Sequence, residues 1–392
     1  MYENKKDVHV NADKRKKDIK SLYVNLFLVL LLFVVFICAL FIGSYGISPF
    51  TVILILWSGI MDKIIWIMGL PAAFFQPYAN SFDPLSKVIE SFFTLPVSLL
   101  HPVPHTWAGT LDLIVWRYRF PRAIAAMLVG AGLSVSGASF QSTFRNPLVS
   151  ESILGVSAGA SVGAAIAILL SESGPMIELF AFVSGFIAVV LAYSISRVYR
   201  SNPILLLVLS GVIVGSLFGA ITDILTYVAD PHTKLPEIVF WMMGSFAKVT
   251  INDIYLSGPI IVVGILVLFL VRWRLNVLSM GDDEARSLGI DTTKLRALII
   301  LCATLVTAAA TCISGGIGWV GLVIPHMGRM LLGPDHKGLI PATILIGASY
   351  MVVIDIIARN ITQGEVAPGI LTALIGTPIF LYVLYRSRDE WS

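Results

Sequence analysis

Charged residues are scarce in this chain: they make up 13% of its 392 residues, where a soluble domain carries about 25%. A charge at the bilayer centre costs roughly 2.5–3.5 kcal/mol on insertion scales, so lipid selects against it. Hydrophobic residues reach 57% and mean hydropathy is +0.86. A soluble globular fold is excluded, and an all-α polytopic membrane protein is implied. Cysteine is also rare. Cys38, Cys302 and Cys312 all lie in apolar segments and no C-x-x-C pair occurs, which excludes a secreted disulfide framework and a thiolate metal site. The six histidines never pair at ligand spacing, so His326 and His336 read as turn or packing residues. No G-x-x-x-x-G-K-[ST] loop is present, so the chain has no nucleotide-hydrolysing site of its own. No nucleophile and base stand at catalytic spacing, so the chain is not expected to be an enzyme.

Long apolar runs are what it does have. A span needs about 20 apolar residues to cross roughly 30 Å of hydrocarbon. Candidates lie near 21–43, 121–143, 152–171, 178–197, 203–228, 253–274, 293–313, 316–332, 338–359 and 368–386. The first follows the basic stretch "KKDVHVNADKRKKDIK", is too long for a signal-peptide core, and has no A-x-A site after it. It reads as an uncleaved helix entering from the cytoplasm. Most of the 27 Lys and Arg residues then fall inside, among them Arg145, Arg197, Arg272, Arg274, Arg286, Lys294, Arg296, Arg329 and Lys337. Lys63, Lys87, Arg117, Arg119, Arg122, Lys234, Lys248 and Arg359 fall outside. That asymmetry obeys the positive-inside rule and places both termini in the cytoplasm.

The expected organisation is a basic tail (1–20), a first span (21–43), an extracytoplasmic insertion (44–116), a core (117–386) and a short tail (387–392). Within the insertion, "TVILILWSGIMDKIIWIMGLPAAFF" is interrupted by Asp62 and Lys63, so an interfacial, re-entrant or spanning helix all fit it. One extra crossing would invert the charge bias.

Glycines recur at four-residue spacing: Gly155, Gly159 and Gly163, then Gly211, Gly215 and Gly219. Small residues on one face let helices approach closely in lipid. Packing within one subunit accounts for both sets; for the Gly211 face, a subunit interface or a substrate path is the alternative. Asp223 is the best intramembrane acid, but it lies near the outer end of the fifth span, so a proton relay is not expected.

"MGDDEARSLGID" (280–291) interrupts two apolar runs. Asp282, Asp283 and Glu284 open a short helix, where the positive end of its dipole favours acids. Gly281 and Gly289 bracket it, the latter suiting a C-terminal stop. An isolated helix this short is marginal in water, so a partner is expected to hold it. "RNPLVSES" (145–152) and "GPDHK" (333–337) read as proline-containing turns at the same face.

Several segments together resemble one family. "RYRFPRAIAAMLVGAGLSVSGASFQSTFRNPLVSESILGVSAGASVGA" (117–164), "LSMGDDEARSLGID" (278–291), "SGGIGWVGLVIPHMGRMLLGPDH" (314–336) and "GEVAPGILTALIGTPIFLYVLYR" (364–386) are similar to the FecCD-type permeases of binding-protein-dependent ABC importers, which carry iron-siderophores, haem or vitamin B12. The resemblance implies a type II importer fold like the vitamin B12 permease, with ten helices, inverted half-repeats, and a homodimer in the cytoplasmic membrane. "SGASFQSTFRNPLVSESILG" and "SGGIGWVGLVIPHMGRMLLG" echo such a repeat. The insertion at 44–116 is longer than the family's pattern.

By resemblance, Gly281, Asp282, Asp283, Glu284, Ala285, Arg286, Leu288 and Gly289 form the segment that receives the closure of two ABC ATPase subunits, which use ATP and Mg. Arginines matching Arg119, Arg122 and Arg359 meet carboxylates on the two lobes of an extracytoplasmic binding protein, and Asp355 stands one turn before Arg359. The fifth and tenth helices would line the path. No directly bound cofactor, metal or nucleic acid is implied. The competing class is an ion-coupled secondary carrier, which holds charged sites near mid-membrane; the near absence of charge there speaks against it.

Overall fold

The computed structural model describes residues 3–43, 45–61, 107–198, 203–362 and 364–391. Lys63, Lys87, Arg200 and most of the 44–116 insertion lie outside the described residues. Contacts divide the chain into two compact units, residues 40–120 and the combination of 1–39 with 121–392.

Among the described residues the fold is entirely helical. The elements are α1 (Glu3–Phe41), α2 (Pro49–Met61), α3 (Gly109–Thr143), α4 (Val156–Leu169), α5 (Gly174–Val198), α6 (Pro203–Val228), α7 (Lys234–Met243), α8 (Ile251–Leu270), α9 (Arg272–Met280), α10 (Asp282–Ser287), α11 (Thr292–Ser314), α12 (Val320–Leu332), α13 (His336–Asn360) and α14 (Pro368–Trp391). Seven are long and apolar enough to cross a membrane. Each expected span corresponds to a helix, with three differences that have physical causes.

The third and eighth spans are shorter than expected. α4 has 14 residues and α12 has 13, or about 20 Å of helix each. Both begin late because a left-handed residue, Gly155 (φ 84°) or Trp319 (φ 71°), ends the irregular segment before them. The parts of those segments next to the helices are largely buried, with Glu151, Leu154 and Gly155 before α4 and Gly315 and Ile317 before α12, the condition under which non-helical backbone is tolerated at membrane depth. The sixth span breaks at Val271 into α8 and α9. The second span starts earlier, at Gly109, and passes through a π-helical stretch at Ile114–Arg119.

One helix was hidden from the pattern. α7, "KLPEIVFWMM", lies between α6 and α8 and is too short to register as a span. The Trp241 carbonyl accepts from Gly244 (3.1 Å) and Gly316 (3.4 Å), so it steadies the irregular chain before α12.

Side-chain capping sets several helix starts. Asp253 accepts from the Thr250 amide (2.8 Å) and hydroxyl (2.9 Å) at α8. Asp291 accepts from the Lys294 amide (3.1 Å) at α11, and Asp335 from the Lys337 amide (3.0 Å) at α13. Such caps contribute about 1 kcal/mol each. The main core joins Val135, Phe140, Leu154, Leu268, Leu275 and Ile299. The outer faces remain apolar: Leu26, Phe27 and Leu30 on α1 and Val212, Ile213 and Leu217 on α6 are exposed. Exposed apolar surface on this scale suits lipid rather than water.

The helices α3 and α13 run antiparallel and are tied at both ends. Arg122 Nε lies 2.7 Å from Asp355 Oδ1 at one end. Ser142 Oγ meets His336 Nε2 at the other. Arg122 to Ser142 along α3 is about 30 Å at 1.5 Å per residue, the thickness of a hydrocarbon core.

Candidate functional site

Residues 281–289, the expected coupling segment, contain a short helix held at one corner and open elsewhere. Gly281 takes φ 146°, and a Cβ there would collide with the Glu284 carboxylate. The segment closes at Gly289 (φ 76°), where the Ile290 amide bonds the Ala285 carbonyl at 3.0 Å. Ala285 is fully buried. Asp282 accepts two hydrogen bonds from Arg296 on α11, at 2.5 and 2.8 Å, and one from Arg145 at 3.3 Å. The hydrogen bond from Arg296, with the charges of Arg296, Arg145 and Arg286, holds the Asp282 carboxyl below its ordinary range despite partial burial. Asp282 is therefore an anchor. Asp283, Glu284, Arg286 and Leu288 (63%) are exposed, as is Met280 (66%) just before the helix. Acids beside two bare apolar side chains make a face that another protein can cover.

The two turns expected near this segment have separate positions. Arg145, in a left-handed conformation (φ 50°), reaches Asp282. Farther along the same turn Glu151 is buried, its Oε2 without a partner, against Gly321 at the start of α12. The segment is thus not a surface turn throughout. Glu151 was missed because "SES" carries no periodic signal of its own. In the other turn, Asn276 on α9 accepts from the His336 amide (2.8 Å), meets His336 Nδ1 (2.7 Å), and donates to Asp335 (2.7 Å). With Ser142 on the far side of the imidazole, this joint fixes the helix that leads into the coupling segment to both α3 and α13. His336 is a packing residue, as expected from its isolation in sequence.

Arg119, Arg122 and Arg359, expected to meet carboxylates of a binding protein, are 4%, 8% and 5% exposed, and each is already engaged within the chain. Within the smaller unit, Arg119 donates to the carbonyls of Leu40 (2.9 Å), Phe41 (3.0 Å) and Tyr45 (2.5 Å). The Leu40 and Phe41 carbonyls are orphan acceptors at the end of α1, and Tyr45 lies in the chain just beyond it. Within the larger unit, Arg122 binds Asp355 and both oxygens of Glu365 at 3.0 Å. Arg359 lies 3.4 Å from Asp355 and donates to the Ala39 carbonyl at 2.8 Å. The reason is dielectric: a helix-end guanidinium not in water takes every acceptor within reach. Glu365, in a left-handed conformation (φ 52°) and part exposed, is the outermost member. Its contact with Arg122 spans 243 positions and was invisible in the sequence.

The glycine faces divide. Gly159 and Gly163 pack against the backbone of α5. Gly211 abuts Ile153 and Leu154, Gly215 faces Gly155, and Gly219 has open space beside it. Asp223 is exposed on α6. The two echoing segments meet: Gln141 donates to the Gly321 carbonyl (3.2 Å) and accepts from Arg329.

Comparison with known proteins agrees with this architecture. Residues 82–386 match the FecCD transport family. The molybdate import system permease protein MolB of Haemophilus influenzae is 40% identical over 276 residues, 70% of this chain and 82% of that one. The cobalamin import system permease protein BtuC of Halobacterium salinarum is 38% identical over 296 residues, covering 75% and 79%. The hemin transport system permease protein HmuU of Yersinia pestis is 33% identical over 297 residues, covering 73% and 88%. An inward-facing structure of a metal-chelate-type ABC transporter superposes with a TM-score of 0.74 at 33% identity, covering 93% of this chain and 99% of that one. A secondary carrier is thereby set aside, and the chain belongs to the FecCD transport family, as the multi-pass permease subunit of an ABC importer and not itself an ATPase.

Proposed function

We propose that the chain moves a bulky metal chelate, an iron-siderophore, haem or a cobalamin, across the cytoplasmic membrane, with a metal oxyanion such as molybdate as the smaller variant. The relatives' names span all of these. Two copies enclose the path and two ATPase subunits, which use ATP and Mg, drive it from the cytoplasm, where both termini lie. The observation that carries this reading is the coupling helix, anchored through Asp282 and bare at Asp283, Glu284 and Leu288. Closure of the ATPase pair pushes that face, and α9 passes the movement through Asn276 and His336 to α3 and α13. Each ligand can shift an inward–outward equilibrium only by its differential affinity for the two states.

Docking of the binding protein works by exchange at Arg122. A carboxylate from the incoming lobe displaces Glu365, the part-exposed partner, while Asp355 keeps its place. Arg359, bound to Asp355 and to the Ala39 carbonyl, holds this end of α13 in place.

The test is uptake in proteoliposomes holding the permease, its ATPase and its binding protein, with haem, cobalamin and a ferric siderophore offered separately. ATP-dependent uptake of one of them supports the proposal; uptake indifferent to ATP hydrolysis refutes it. Cysteine labelling of sealed cells at position 283 checks orientation: external labelling would place the coupling segment on the wrong side.

A further inference from the structure

At the level where α8 gives way to α9, the structure has an open pocket of about 510 Å³ lined by Arg272, Trp273, Asn276, Val277 and Lys337. We propose that this pocket binds the phosphate headgroup of an anionic membrane lipid.

Depth comes first. α8 has 20 residues, about 30 Å of helix, so its end at Leu270 reaches the edge of the hydrocarbon and Arg272 stands at headgroup level. Trp273 is 47% exposed there, in the zone where Trp anchors to the interface.

Charge comes second. Arg272 is pinned beneath the pocket: Nη1 donates to the Phe269 carbonyl at 2.7 Å, and the guanidinium lies 3.9 Å from the Phe269 ring centroid. Its Nε is buried and has no hydrogen-bond partner. Lys337 supplies an exposed ammonium from α13, and Arg274 lies over the Trp273 ring at 5.2 Å. Asp335, the acid adjacent in sequence, is already engaged by Asn276 and by the Lys337 amide. Two cations, Arg272 and Lys337, line the cavity and Arg274 stands beside them on the Trp273 ring; such a group fits a phosphodiester, and basic pockets between spanning helices are a recurrent lipid-headgroup device.

Continuity with lipid comes third. Val262, Leu266 and Leu270 are exposed at four-residue spacing along α8 and lead to the pocket rim. A soluble phosphate has no use for that apolar track, whereas acyl chains of a headgroup-bound lipid would lie along it. Naming the leaflet as the cytoplasmic one rests on the orientation proposed above. Because Asn276 also holds His336, an occupied pocket would brace the joint between α9 and α13.

The full-length chain in neutral detergent is titrated with phosphatidylglycerol or phosphatidylcholine and read by native mass spectrometry. Phosphatidylglycerol should be retained about tenfold or more over phosphatidylcholine. K337Q should weaken that preference several-fold, and R272Q/K337Q should abolish it. Melting temperatures show that the variants are folded; should the double variant not fold, K337Q alone decides. R197Q, at another exposed helix-end arginine, should change nothing. Equal retention of the two lipids overturns the proposal. So does full preference in K337Q, or a loss in R197Q as large as in K337Q. Displacement by millimolar inorganic phosphate would make this a free-phosphate site and overturn the lipid assignment.

Discussion

Asp282 and Arg296 are joined by two parallel hydrogen bonds, 2.5 and 2.8 Å long, that fasten α10 to α11. The planar fork matches the carboxylate edge, which an ammonium cannot reproduce. Arg296→Lys should therefore lose most of what Arg296→Ala loses, about 1–2 kcal/mol of local stability. The expected readout is a fall of about tenfold in substrate moved per ATP hydrolysed, with the ATPase still bound. Unchanged stoichiometry in Arg296→Lys would show that the fork is not the mechanical link.

The exposed neighbours should behave differently. Replacing Asp283 and Glu284 with Lys leaves no buried group unpaired, so melting should shift by no more than about 0.5 kcal/mol equivalent. Association with the ATPase should weaken and its salt dependence change, because exposed interface charges act through long-range attraction. Normal ATP-driven uptake in the double variant would refute the assignment of this face.

Acid should loosen the anchor in a definite window. The Asp282 carboxyl is held below its ordinary range by Arg296. A depressed carboxylate contributes stability that is present above the unfolded value, about 3.9, and lost as pH falls through the folded one. Protection of the 281–291 amides, measured against intrinsic exchange rates, should fall below about pH 4, and Asp282→Asn should flatten that response from the start.

Arg122 and Glu365 separate structure from docking. Removing Arg122 deprives fully buried Asp355 of its 2.7 Å partner, and breaking a buried pair from one side costs about 3–5 kcal/mol. Glu365→Gln sits at the exposed end and should cost little stability. If the exchange model holds, Glu365→Gln raises affinity for the binding protein by several-fold; unchanged or weaker binding in surface-immobilised assays counts against it.

Gly211 and Gly219 test packing against path. A Cβ on Gly211 runs into the Ile153 carbonyl, whereas Gly219 has nothing within 4 Å. Gly211→Val should destabilise the chain by about 1–3 kcal/mol through overpacking. Gly219→Ala should be neutral for stability, so any loss of uptake there would mark a path or subunit-contact role.

Much was legible before any coordinates. Apolar runs of fixed length follow from bilayer thickness, so the helices containing 203–228 and 293–313 appeared nearly where they stand. The short helix α10 was legible because its signals are local: acids in a first turn, a glycine at each end. Arg119, Arg122 and Arg359 were legible as a set of charges, but their buried acceptors were not, since sequence gives the charge and not its distant partners. Glu151 was not legible, because its burial depends on α12 arriving from residues far along the chain.

Periodicity, hydropathy and capping are properties of neighbours in the chain, and they determined the helices, their membrane character and the family motifs. Which charge is spent and which is available depends on partners far away in sequence, as Arg122 with Glu365, His336 with Ser142 and Asp282 with Arg296 show. Tertiary structure alone decided those pairings, because in a low-dielectric interior each buried polar group must find its partner wherever the packing of helices brings one.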